Sequence, residues 1–168
     1  DKIFGWNLLS ICEKIIYVRK QLYTYYVNPN INTALTDSLN YGFGLKTVKL
    51  IVFNIKKSLK RRGLSKIELE KYCLQALIFF SIHALITISR PMFLGKIDFN
   101  KAKKIRRNII NEMLKDKDIS KAIKKYVPSN QESPLIPKAI MLKSHILLER
   151  ACNKRAKETI VMRRQGKV

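Results

Sequence analysis

The chain has 168 residues, 46% of them hydrophobic, and carries 34 Lys and Arg against 12 Asp and Glu, a net charge of +22. That apolar fraction excludes a disordered basic tail, and the length suits one hydrophobic core, so a single domain over 1–168 is expected. The charge far exceeds the roughly 2 to 8 that solubility asks of a small domain and points to a polyanionic partner.

In chain order, Leu8, Leu9, Cys12, Ile15, Ile16, Leu22, Tyr23 and Tyr26 recur at helical spacing and predict a first helix, an extended N-terminal arm, which Asn28-Pro29-Asn30 ends. The first residues lack the basic flank and clean apolar run of a cleavable leader. Between Gly44 and Gly63, Leu45, Val48, Val52, Ile55 and Leu59 step by three and four, as on one helical face. The β-branched content of Val48 to Ile55 supports a strand as the competing reading, and helix is preferred. Ser65 and Glu68 form a capping box, opening a helix expected to run to about Arg90 and to be closed by Pro91 and Gly95. Its stretch from Tyr72 to Ser89 has no formal charge, but Gln75, Ser81, His83 and Thr87 interrupt it. A buried core helix therefore explains it better than a membrane span.

Asp98 is placed to cap the next helix, with Phe99, Ala102, Ile105, Ile109, Ile110, Met113 and Leu114 as its apolar stripe. Lys101, Lys104 and Arg107 fall on its other, basic face. Asp118 is expected to cap a shorter helix through Tyr126, and the proline-rich 127–137 segment reads as a loop or hinge. A last helix is expected over 138–164, with Leu147 on its apolar side. The fold class is thus mainly α, about five to six packed amphipathic helices with long basic faces.

The cations are not scattered. No acid occurs between Asp37 and Glu68, an interval holding Lys46, Lys49, Lys56, Lys57, Lys60, Arg61, Arg62 and Lys66. Lys143, Arg150, Lys154, Lys157 and Arg164 are spaced to share one face of the last helix. These residues, with Lys101, Lys104 and Arg107, are the candidate phosphate-binding set. The pattern suggests no catalytic residue, metal site or cofactor: His83 and His145 have no ligand partner at metal spacing, and Cys12, Cys73 and Cys152 lie too far apart for a metal knuckle.

Two stretches resemble the CRISPR-associated RecB-like nucleases of the restriction-endonuclease superfamily. Cys12-Glu13-Lys14-Ile15-Ile16-Tyr17 is similar in outline to the family's early Cys-Pro-Arg-Lys-aliphatic-aromatic string. Asn54-Ile55-Lys56, followed by Gln75 and Phe79, matches the order of its E-x-K, which ends a β-strand, and its helical Q-x-x-x-Y. Asn54 stands where a carboxylate would hold a divalent metal, so the resemblance does not carry nuclease activity with it. A nuclease-like pattern stripped of its acids, on so basic a chain, resembles nucleocapsid proteins of filamentous viruses of hyperthermophilic archaea. That resemblance implies a coat subunit in the virion, packing as a homo- or hetero-oligomer with a paralogous subunit around double-stranded DNA. The residues alone leave RNA open as the nucleic acid and a ribosomal protein as the alternative; neither reading requires a small-molecule substrate or contact with a membrane.

Overall fold

The computed structural model describes residues 44–95, 98–128 and 133–164, the side chains of 163 and 164 excepted. The predicted N-terminal arm and the Cys12 string lie outside the described residues. Among the described residues six α-helices follow one another: α1 (Leu45–Arg61), α2 (Lys66–Phe93), α3 (Phe99–Lys115), α4 (Lys117–Ala122), α5 (Leu135–Met141) and α6 (His145–Arg164). A 3-10 turn, Ile123–Lys125, extends α4, and no strand occurs among the described residues. The mainly α reading holds.

The segment Val48 to Ile55 is helical, because Val48, Ile51 and Ile55 bury one face while the opposite side, with Lys46, Leu50, Phe53 and Lys57, stays exposed. This excludes the strand alternative. Asn54-Ile55-Lys56 therefore lies inside a helix, not at the end of the β-strand that the nuclease resemblance implies, and the Asn54 amide donates to its own helix at the Leu50 carbonyl, 2.9 Å away. The helix stops where Gly63 takes a φ of 76° and its amide and that of Leu64 close back on the last turn.

The central element is α2. Ser65 Oγ accepts from the Glu68 amide at 3.3 Å and the Glu68 carboxylate accepts from the Ser65 amide at 2.9 Å, the reciprocal cap foreseen. The Ser65 hydroxyl, which also donates to the Glu68 carboxylate at 2.7 Å, and the Ser65 amide hold that carboxyl below its ordinary pKa, the hydroxyl contributing most. Helices α1, α3, α4 and α6 all pack against α2, which explains why it is apolar nearly all round. Among the described residues it is the one helix long and apolar enough to cross a membrane, and half of its most apolar 18-residue window is buried inside the fold. It runs past Arg90: Pro91 is accommodated within the last turn, and the break comes at Gly95, φ 66°.

Three further boundaries differ from expectation. Asp116, not Asp118, caps α4, accepting from the Asp118 and Ile119 amides at 2.9 and 3.0 Å. The end of the proline-rich segment is helical, with Pro137 buried in the first turn of α5. The expected 138–164 helix is two helices, because Lys143 adopts φ 51° between them. The Lys143 and Ser144 amides then close onto the Ile140 and Ala139 carbonyls, a left-handed helix stop built without glycine, and Ser144 Oγ caps α6 through the Leu147 amide at 3.3 Å. Of the two adjacent leucines in α6, Leu148 is buried and Leu147 is 45% exposed, so the helix is turned by one position from the expected rotation. Phe99, assigned to the apolar stripe of α3, is also exposed.

One core results, running through Val48 and Ile51 of α1, Leu85 of α2, Ile110 of α3, Ile140 of α5 and Leu148 of α6. A reciprocal clamp from Gln75 holds the chain after the 3-10 turn on α2: its amide nitrogen donates to the Lys125 carbonyl at 2.9 Å and its oxygen accepts from the Val127 amide at 3.2 Å.

Candidate nucleic-acid interface

Helix α1 puts its apolar stripe on α2, and the same periodicity turns Lys46, Leu50, Phe53, Lys57, Lys60 and Arg61 to solvent. No acid occurs in the helix. From Lys46 to Arg61 the face is about 22 Å long, the length over which a duplex carries about 13 phosphate charges. Lys56, Arg62 and Lys66 are exposed beside it and in the α1–α2 turn. Lys49 serves the fold instead: its ammonium lies 2.6 Å from the Asp116 carboxylate and 2.8 Å from that of Asp118, tying α1 to α4. Those two bonds, Asp116 first, raise the Lys49 pKa. Burial pushes the Asp116 carboxyl up, but the Lys49 ammonium and the Ile119 amide outweigh it and hold the carboxyl below its ordinary value.

The second basic surface is built by two helices distant in sequence. Asn111 Oδ1 meets His145 Nε2 at 2.6 Å, Arg107 Nε donates to Glu149 at 2.9 Å, and Arg106 donates to Asn153 Oδ1 at 2.6 Å. Toward the other end, Lys157 stands 5.0 Å from the centre of the Phe93 ring, itself edge-on to Phe99 at 6.4 Å. Numbers fall along α3 as they rise along α6, so the two helices run antiparallel. This register brings the exposed Lys101 and Lys104 of α3 alongside the exposed Lys154 and Lys157 of α6, with Arg150 farther along the same α6 face. Arg107 and Glu149 neutralise each other at the seam.

Lys143 leaves the set of residues sharing a helical face, since it occupies the turn before α6, although it is exposed. Arg164 ends α6, and its side chain lies outside the described residues. The candidate cations thus fall into an α1 group, an α3–α6 group and the isolated Lys143.

No protein family, curated protein or solved structure matches the chain.

Sequence reasoning missed Arg106, which a basic helix face would place in water. It is 2% exposed, donates to Ser89 Oγ at 3.0 Å as well as to Asn153, and has a buried Nε without a partner. Burial lowers its pKa. The available signal was its place in the apolar repeat, three residues before Ile109 and four before Ile110. Phe53 was missed as well, and it is 63% exposed among the α1 lysines. No group of three His, Cys, Asp or Glu side chains among the described residues could hold a metal ion.

Proposed function

We propose that the chain is a structural protein that coats nucleic acid through sequence-independent contacts to phosphate. The observation that carries this reading is the acid-free, exposed cationic face of α1, to which the α3–α6 register adds a second ridge of Lys and Arg. Ridges of this length suit a phosphate track better than a single small anion, and phosphate contacts position a protein without reading bases. In keeping with the resemblance to filamentous-virus nucleocapsids, the favoured partner is double-stranded DNA, and the working form is an oligomer in which bound phosphate offsets repulsion between subunits of net charge +22.

The test is a filter-binding comparison of the wild type with the triple variant Arg150→Gln, Lys154→Gln, Lys157→Gln. All three side chains are exposed, so stability should fall by no more than about 0.5 kcal/mol per substitution, about 1.5 kcal/mol together, while DNA affinity falls. The slope of log affinity against log salt should become shallower by about 2.7. Unchanged affinity would remove α6 from the interface, and selective binding to one folded RNA would favour the ribosomal alternative.

A further inference from the structure

Between α1 and α2 runs an open groove of about 560 Å³. Val52, Leu69, Leu74 and Leu77 give it an apolar floor, and Phe53, largely exposed, stands as one wall. Four lysines line it, of which Lys49 is taken by Asp116 and Asp118 and Lys121 lies 3.5 Å from Glu70. Lys56 and Lys66 are exposed and have no carboxylate partner among the described residues. An occupant must therefore offer a flat apolar surface to Phe53 and negative charge to the two lysines. A second copy of this face would set lysine against lysine. A polynucleotide whose bases are open supplies both requirements within one nucleotide, whereas a paired duplex offers only its charge.

We infer that the α1–α2 groove receives an unpaired nucleobase, stacked on Phe53, with the adjoining phosphates on Lys56 and Lys66. The inference rests on the nucleic-acid reading and adds a strand preference that phosphate contacts alone do not give. The chain would hold gaps, ends and single-stranded stretches through this groove and backbone in general through its basic ridges.

The full chain is titrated with an oligothymidylate of about 20 nucleotides, with a duplex of the same length, and with heparin, which carries charge but no bases. Phe53→Ala, at an exposed position, should weaken oligothymidylate binding by about 5- to 150-fold and leave heparin binding unchanged, and Phe53→Trp should restore it. Cys73 lines the same groove and reports occupancy: oligothymidylate should slow its alkylation, and heparin should not. Equal losses toward oligothymidylate and heparin, or no loss in Phe53→Ala, would overturn the groove while leaving the phosphate-coating reading intact. An emission from Trp at position 53, taken as the difference between Phe53→Trp and the wild type with its native Trp6, that is already that of a dry site in the free chain, or a Phe53-dependent affinity for anionic phospholipid vesicles, would also overturn it, by assigning the groove another occupant. Binding to none of the three polyanions at low salt would overturn both.

Discussion

Arg106 shows how a single side chain can contradict its type. A guanidinium with two neutral partners, Ser89 and Asn153, and no hydrogen bond at Nε is held in place by the packing of α2, α3 and α6 around it. Removing one partner leaves a buried donor unsatisfied, which costs about 1–3 kcal/mol. Asn153→Ala should therefore lower unfolding free energy by about that amount in a urea titration, although the position is only half-buried. Asp116 makes the complementary case for charge. Its folded-state pKa is depressed, so the stability it contributes is complete above the ordinary value of 3.8 and is lost as pH falls through the folded value. Asparagine at 116 keeps a cap for α4 but not the charge that holds Lys49. The stability gap between wild type and Asp116→Asn should thus be largest near neutrality and shrink as pH falls below the ordinary value of 3.8, as read by chemical denaturation across that range.

At the scale of elements, the sequence was legible where local chemistry was strong. Ser65 with Glu68, Asp98 before Phe99, and the three-and-four stepping of Leu45 to Leu59 each foretold a boundary or a face that the fold displays. It was obscure where tertiary packing decided. The stop after α5 has no glycine, and Lys143 bears the left-handed conformation, so the chain looked continuous from 138 to 164. Adjacent Leu147 and Leu148 are equally apolar, and only the rotation set by packing on α2 and α5 selects Leu148 as core. Leu148→Ala should cost about 2–5 kcal/mol and Leu147→Ala less than about 0.5 kcal/mol in thermal or urea unfolding. Comparable losses at both positions would mean that the exposed leucine is covered in solution.

At the scale of the molecule, the fold explains how so basic a chain stays compact. The acids are few, and several stand at mechanical joints: Asp116 and Asp118 join α4 to α1, and Glu149 joins α6 to α3. Most of the candidate cations remain exposed on the helices around the apolar α2. The grouping on α1 was readable from sequence because it is local, whereas the α3–α6 ridge was not, since it depends on two helices meeting in antiparallel register through contacts 34 to 47 residues apart in sequence. On the proposed function, phosphate would supply the counter-charge the chain lacks, and release of condensed counterions would supply much of the affinity. The decisive measurement is the binding constant for random-sequence duplex DNA as a function of salt. A ridge engaging about 6 to 10 phosphates predicts a fall of about 10³- to 10⁵-fold between 50 and 200 mM, alike for unrelated sequences, and an affinity that stays flat over that range would contradict the account.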